Sequence, residues 1–490
     1  MYLLRATEEI LIGRDPKVCD IAVAPNSLDV SNKHLRIYSV IFDDDDLETI
    51  LPLVYAQDLS RFGTLWNGIP MPKDKGAILL SHGDTMEINR EIAFQYQSRR
   101  IPSFDSNPTQ SAEKRVRVRV AGPQKLGEGG HGKVHLAFSA KSHKQFACKV
   151  VDLKGLRALA SKHLYDEHLM RYKRELDVMK SINHPNIVAL EKVFITPDTI
   201  YIFQELITGG DLFSYIVYKG GYLQDIHAAI VIRQILKALA YLHDRGIVHR
   251  DIKPENVLIA SRVDNVRVVL ADFGAARLVE SEGEAYKMFS QVGTIDYAAP
   301  EIKDPTGYAK SVDMWSVGAL TAVVLTGESF FADETHPDYQ MQPEQVILQR
   351  TQICDLSKID IGASWKHVGS RPKDFVKSLL VLDQSKRLSA QQGLSHEWFT
   401  NKHHSKYFDP VYDVAVSSWK PRRKRFRIAE YLNIEDETMD DELWDGLIER
   451  TGADVFTSEG RHSFAGTTDD NHDDSNVIGA LIPICIDRTP

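Results

Sequence analysis

The sequence predicts a multidomain chain: an all-β sandwich, then a larger α+β domain, then a largely disordered acidic tail. Three observations predict it. Residues 8–97 carry short alternating apolar stretches, such as Glu9-Ile10-Leu11-Ile12 and Leu35-Arg36-Ile37-Tyr38, broken by Gly, Pro, Asn and Asp. Several short strands at that spacing suggest a sandwich. In residues 118–400 a glycine-rich turn and the apolar, strand-like Phe146-Ala147-Cys148-Lys149-Val150-Val151 precede a helical stretch at 174–179. Residues 435–490 hold 15 acids against three Lys/Arg, a net charge of −12. Such a segment buries too little apolar surface to order itself. The whole chain carries −9, so its acidic balance comes from this tail.

Composition narrows the class further. A chain of 490 residues corresponds to about three units at ~150 residues each. A hydrophobic content of 43% can fill two cores. Cys19, Cys148, Cys354 and Cys485 show no paired or metal-like spacing, which points to a reducing compartment. No apolar run reaches 18 residues and no signal peptide opens the chain, so neither membrane insertion nor secretion is expected.

The chemistry concentrates in His249-Arg250-Asp251-Ile252-Lys253-Pro254-Glu255-Asn256. One short loop holds a carboxylate, a lysine and an amide, the groups that phosphoryl transfer from ATP to a hydroxyl needs. Asp251 would accept the hydroxyl proton, Lys253 would neutralise the migrating phosphoryl, and Asn256 would hold magnesium. Asp272-Phe273-Gly274 begins 21 residues after Asp251, and Ala299-Pro300-Glu301 follows. Upstream, Gly127, Gly129 and Gly132 with Val134 read G-x-G-x-x-G-x-V. Glycines there let the backbone approach phosphates, and Val134 can cover an adenine. Lys149, 17 residues after Gly132, would clamp the α- and β-phosphates. Glu175 is its expected partner; the competing Asp177 faces another side of the same helix. Asp272 would join Asn256 as a magnesium ligand, because magnesium takes few protein carboxylates plus phosphate oxygens.

Taken singly, each piece is an ordinary turn glycine or solvated charge. In this order and spacing, residues 118–400 resemble the eukaryotic protein kinases, with Asp313-Met314-Trp315-Ser316-Val317-Gly318 and Arg387 also matching. The resemblance implies a bilobal protein kinase fold, ATP and magnesium as cofactors, and an Arg387–Glu301 ion pair. It implies an adenine site lined by Leu126, Val134 and Ala147, with Gln204 as gatekeeper and Glu205, Leu206 and Ile207 as hinge. Lys253 and Thr294 are serine/threonine-kinase features. Asp211 and Glu255 lie where such kinases bind a substrate arginine three positions before the phosphoacceptor, or contact the ATP ribose. Arg250 beside the catalytic Asp implies control by an activation-loop phosphate, with Ser290 and Thr294 as the expected sites. Thr294 has the alternative role of aligning substrate.

In residues 1–98, Gly13-Arg14, Ser31-Asn32-Lys33-His34, Ser60-Arg61-Phe62-Gly63-Thr64 and Asn67-Gly68 resemble a forkhead-associated (FHA) domain, which binds phosphothreonine peptides through loops. Arg14 and Ser31 would hold the phosphate by charge-assisted hydrogen bonds, and Asn32 the peptide or the phosphate. His34 reads as a structural histidine. Phe62 departs from the family, which places a peptide-gripping Asn there; losing that hydrogen bond costs roughly 1 kcal/mol.

Residues 99–117 read as a Ser/Pro/Arg-rich linker containing Thr109-Gln110, and residues 401–490 as a basic cluster and acidic tail. Six of the eight residues from Lys420 to Arg427 are basic, which reads as a nuclear localisation signal or a nucleic-acid contact; direct nucleic-acid binding is not the expectation. An FHA domain before this type of kinase resembles the nuclear checkpoint kinases of DNA-damage signalling, and within them the fungal meiosis-specific branch. The resemblance implies a nuclear kinase that docks on a phosphothreonine-bearing adaptor, concentrates there as an activation-dependent homodimer, and phosphorylates its own loop. The rivals are a mitotic replication and damage checkpoint kinase and a non-catalytic phosphopeptide scaffold.

Overall fold

The structure, a computed structural model, describes residues 2–5, 9–24, 27–40, 53–72, 76–81, 83–97, 120–129, 132–138, 144–159, 162–195, 199–261, 265, 267–278, 295–303, 310–333, 335–402, 405–421, 429–430 and 481–487. It divides into two compact units: Met1–Leu153 with Glu191–Leu206 and Ile428–Pro490, and Lys154–Leu190 with Ile207–Arg427. Ser290, Thr294, Thr109-Gln110, residues 43–46 and Arg422–Arg427 lie outside the described residues.

The first unit opens with β1 (Tyr2–Arg5), β2 (Glu9–Gly13), β3 (Ile21–Ala22), β4 (Leu35–Val40), β5 (Leu53–Asp58), β6 (Leu65–Trp66), β7 (Ile69–Pro70), β8 (Ile78–Leu79), β9 (Thr85–Glu87) and β10 (Ala93–Gln97). One sheet runs β3-β2-β4-β5-β8, and β10-β9-β6-β7 belong to a second. Successive side chains on a strand point to opposite faces, and the inward set closes a core around Ile12, Leu35, Ile37, Val54, Ala56, Met86 and Phe94. The β6–β7 hairpin turns on Asn67 (φ 50°) and Gly68 (φ 78°), the pair such a two-residue loop requires.

The outward set is buried as well. Tyr38, Val40, Leu53, Tyr55, Ala77 and Leu79 form a second cluster with Leu136, and Leu206 packs against it. Leu136 lies on the next sheet, built from β11 (Val120–Gly129), β12 (Gly132–Phe138), β13 (Gln145–Asp152) and, after helices α1 (Leu153–Leu159) and α2 (Lys162–Ser181), β14 (Leu190–Ile195) and β15 (Thr199–Glu205). Their order is β11-β12-β13-β15-β14. The sandwich and this small-lobe sheet therefore share one compact unit.

The second unit is mostly helical: α3 (Leu212–Tyr218), α4 (Asp225–His243), α5 (Ser311–Thr326), α6 (Pro343–Ile353), α7 (Ser357–Ile361), α8 (Ser370–Leu379), α9 (Ala390–Leu394), α10 (Glu397–Thr400) and α11 (Ser405–Ala415). Four short strands interrupt it, β16 (Ile247–Val248), β17 (Val257–Ile259), β18 (Val268–Leu270) and β19 (Arg277–Leu278), paired as β16-β19 and β17-β18. α5 is apolar all round and buried from Val312 to Leu325, as a helix at the centre of a domain must be.

Described elements continue beyond residue 400. α11 packs on α4. Arg233 reaches Asp409 (2.6 Å), Lys237 sits over the Tyr412 ring (4.2 Å), and Tyr412 Oη donates to Asn186 Oδ1 (2.9 Å). Residues 481–487, placed by composition in a disordered tail, form β21 (Leu481–Asp487) between β1 and β10, parallel to both. The apolar Leu481-Ile482-Pro483-Ile484-Cys485-Ile486 run suits a strand better than its acidic surroundings suggest. A two-residue strand, β20 (Ala429–Glu430), adds to β14. Among the described residues no helix is long and apolar enough to cross a membrane.

His184, near α4, is set for acid sensitivity. Its Nδ1 accepts the Asn186 amide (3.1 Å), which requires an unprotonated nitrogen. Burial, then the charges of Lys237, Arg245 and Arg267, pull its pKa from 6.5 down to about 4. A depressed pKa contributes stability that is present above pH 6.5 and lost as pH falls through 4. Chemical denaturation of the wild type should show a loss on the order of 2–3 kcal/mol across that window. His184→Gln should remove most of that dependence; an unchanged profile would sink the assignment.

Candidate functional site

The loop after β16 is hung from α5. Asp313 is fully buried, and its Oδ2 accepts the His249 amide (2.9 Å) and faces His243 Nε2 (2.8 Å), while Oδ1 accepts the Arg250 amide (2.7 Å). Burial raises the Asp313 pKa, but these hydrogen bonds and the charge of His243 outweigh it and leave the carboxyl below its ordinary value. Arg250 sits at φ 68°, a conformation that costs roughly 1–2 kcal/mol for a residue with a Cβ. Its Nε donates to Ala275 O (2.8 Å). The chain thereby turns so that Asp251 follows a pinned backbone.

Asp251 is held through one oxygen. Asn256 Nδ2 donates to Asp251 Oδ2 (2.7 Å) and to its carbonyl (2.8 Å), and Lys253 Nζ lies 3.2 Å from the same Oδ2. The Asn256 amide nitrogen is thereby engaged, which leaves Oδ1 as the side-chain atom with lone pairs to offer. A 3-10 turn over Pro254–Asn256 carries Asn256 into β17, and Ala271 donates back to Asn256 O (2.8 Å). Asp272 follows at φ 54°, its Oδ1 accepting the Gly274 amide (3.2 Å). Phe273 is buried edge-on to His249, ring centroids 4.9 Å apart, and His249 Nε2 bonds Ala271 O (3.0 Å). The structure thus brings Asp251, Lys253 and Asn256 together and ties them by backbone to Asp272.

The two acids assigned to a substrate arginine or ribose differ. Asp211 is buried and caps α3, its Oδ1 accepting the Ser214 amide (2.7 Å). Glu255 stays open to solvent, yet burial by its surroundings holds its carboxyl above the ordinary range. Glu175 is buried on α2, whereas Asp177 is exposed and pairs with Lys180 (3.1 Å), so the helix separates the two carboxylates as its period dictates.

In the first unit, β11 and β12 meet at Gly129 and Gly132, with Gly127 opposite Val134. Leu126 lies on β11. β13 sets Lys149 opposite Val134 and Ala147 opposite Leu136, and on its other side Ala147 opposite Gln204. Lys149 is buried. Glu205 closes β15 opposite Phe146, and Ile207 begins the second unit's run.

Farther along the chain, Glu301 and Arg387 form a paired fork, Nη1–Oε1 2.5 Å and Nη2–Oε2 3.2 Å, as the resemblance implied. Arg387 also donates to the Ser311 and Val381 carbonyls and lies over the Trp315 ring. Every guanidinium face is used, so the charge is buried without an orphan.

One end of the sandwich gathers the other predicted residues. Arg14 Nη2 donates to Asn32 Oδ1 (2.9 Å) and Nη1 to Ser27 O (3.2 Å). Ser31 Oγ accepts the Arg61 amide (3.0 Å). A Cβ on Gly13 would meet Asn32 O at 2.3 Å, so glycine lets these two loops touch. His34 is fully buried with both ring nitrogens in hydrogen bonds, to the Ser31 amide (3.1 Å) and Gly63 O (3.3 Å). Phe62 is exposed on the adjoining turn.

Sequence reasoning gave Asp313 no role and passed over His243. The available signal was an isolated carboxylate in the otherwise apolar α5.

Comparison with known proteins agrees with this geometry. The family model for the protein kinase domain matches residues 121–399. The meiosis-specific serine/threonine-protein kinase mek1 of Schizosaccharomyces pombe is 32% identical over 423 residues, 84% of this chain and 85% of the relative. The meiosis-specific serine/threonine-protein kinase MEK1 of Saccharomyces cerevisiae is 31% identical, over 79% of this chain and 80% of the relative. Myosin light chain kinase A of Dictyostelium discoideum is 36% identical over 59% of this chain and 90% of its own. With the family model spanning more than half of the chain around the Asp251 loop, the chain belongs to the protein kinase family, as a serine/threonine protein kinase.

Proposed function

We propose that this kinase is recruited by an FHA-type sandwich to a phosphothreonine-bearing adaptor and acts in nuclear DNA-damage and meiotic recombination checkpoint signalling. The observation that carries the catalytic part is the double hold of Asn256 and Lys253 on Asp251 Oδ2. Oδ1 would then take the hydroxyl proton of the substrate Ser or Thr as its oxygen bonds to the γ-phosphorus and the bond from that phosphorus to the departing ADP oxygen breaks. Lys253 would balance charge on the migrating group, and Lys149, buried on β13, would orient the donor's phosphates, with Glu175 as its expected partner. Leu126, Val134, Ala147 and the Gln204–Ile207 hinge would hold the adenine. Protein kinase domains use ATP and a divalent metal; the donors fit magnesium, since Asn256 Oδ1 and Asp272 are hard oxygens leaving positions for phosphate. When bound, ATP and magnesium supply a charge-neutralised γ-phosphoryl group. Glu255 and Asp211 would receive an arginine three residues before the phosphoacceptor, Glu255 being the exposed one of the two. A peptide library without basic preference there would defeat that assignment.

Two meiosis-specific relatives, matched over 84% and 79% of this chain, support the meiotic reading. On this reading the basic cluster at 420–427 directs nuclear entry, and docking raises local concentration so that one copy phosphorylates another at Ser290 or Thr294. Transcripts confined to sexual differentiation support the meiotic role; steady vegetative expression favours the mitotic checkpoint alternative. For the sandwich, Arg14 and Ser31 would grip the phosphate. Arg14→Ala should weaken binding of a phosphothreonine peptide at least about tenfold in fluorescence polarisation, the loss of one charge-assisted contact. Unchanged affinity would remove the recruitment step.

A further inference from the structure

The sandwich's outer face is covered in a way that ordinary sandwiches do not need. β4 and β5 are buried at every position, although only alternate residues can face the sandwich core. Of the remaining side chains, Tyr38, Val40, Leu53 and Tyr55 pack with Leu79 against Leu136 of β12 and Leu206, the residue after β15. A polar clamp locks the same contact. Gln145, the first residue of β13, accepts the Leu79 amide through Oε1 (2.9 Å) and donates through Nε2 to the Leu79 carbonyl (3.0 Å). β8 is the edge of its sheet, so Gln145 satisfies the backbone groups a missing neighbour strand would have taken. Gln145 lies two residues from Ala147 and four from Lys149 on one strand face.

We propose that this outer face is an intramolecular docking surface for the small-lobe edge formed by Leu136, Gln145 and Leu206, and that it positions the β13 strand and the hinge for nucleotide. The docking stands on these contacts alone; its kinetic consequence rests on the adenine-site reading above. The sandwich then serves two ends, its loops for peptide and its sheet for the catalytic lobe.

The test uses the full chain as wild type, Gln145→Met and Tyr55→Asp, with hydrogen exchange by mass spectrometry and steady-state kinetics. Gln145→Met keeps length and removes both hydrogen bonds. In both variants residues 76–81 and 199–206 should exchange about tenfold faster, while 9–13 and 93–97 stay protected, showing that the sandwich is folded. The KM for ATP should rise about three- to tenfold with kcat at saturating ATP within about twofold, the signature of lost ground-state positioning. Faster exchange at 76–81 with 199–206 and KM unchanged would overturn the positioning role, and unchanged exchange at 76–81 in both variants would overturn the docking. Coupled exchange at both segments with no change in KM would uphold the docking and fault the adenine-site reading instead.

Discussion

Asp251→Asn is expected to lower kcat by about 10²- to 10⁴-fold, the range that a general base contributes. The substitution preserves shape, so the fold should survive. Two effects combine. The amide cannot accept the hydroxyl proton, and its nitrogen, if it faces Asn256 Nδ2 and Lys253 Nζ, meets two donors that now hold Oδ2 at 2.7 and 3.2 Å. The asparagine would therefore turn its oxygen to them and its NH2 toward the substrate. The KM for ATP should move less than about threefold, because the lost interaction belongs to the transition state. Steady-state kinetics on the purified full chain measures both. A variant with wild-type kcat would show that Asp251 is not the base and would revive the scaffold reading.

The catalytic loop was legible in sequence because its chemistry dictates residue identity. A carboxylate, a lysine and an amide within six positions have few other uses, and the structure brings these three together. The Arg387–Glu301 pair was legible only through the resemblance to the kinases, and its structure shows why it is needed: a buried guanidinium requires a paired acid. Packing that uses amphipathic residues was not. Leu35-Arg36-Ile37-Tyr38 alternates like a strand with one wet face, yet Arg36 and Tyr38 are buried; an arginine stem and a tyrosine ring read as polar while burying apolar area. Gln145 carries no signal at all until Leu79, 66 residues away, is folded beside it. The tail misled through averaging, because six of the seven residues of β21 are apolar within a strongly acidic stretch. Ser290 and Thr294 lie outside the described residues; within them Arg250 is held by Asp313 and Ala275.

Asp313 is the residue whose loss should cost the most stability. Three donors converge on its carboxylate: two backbone amides of the catalytic loop and His243. Asp313→Ala strands all three in a fully buried site, and breaking a buried charged contact in this way costs about 3–5 kcal/mol. Asp313→Asn keeps one acceptor but turns an NH2 toward a donor, so it should cost about 2–3 kcal/mol. The kinetic loss should exceed what unfolding explains. The Arg250 amide bond to Oδ1 opposes relaxation of the φ 68° backbone, and once released, Arg250 would fall back to negative φ and carry Asp251 away from its place. We expect kcat of Asp313→Asn to fall at least about a hundredfold at a temperature where circular dichroism shows it folded, since small misplacement of a reacting group costs about that much. The acid limb gives a separate reading. With its folded pKa depressed below 3.8, Asp313 adds stability that is complete above pH 3.8 and disappears as pH falls through the folded value. Asp313→Asn should therefore lose that part of the acid dependence along with the stability. A folded Asp313→Asn enzyme with normal kcat would mean that the Asp251 loop holds its shape without α5.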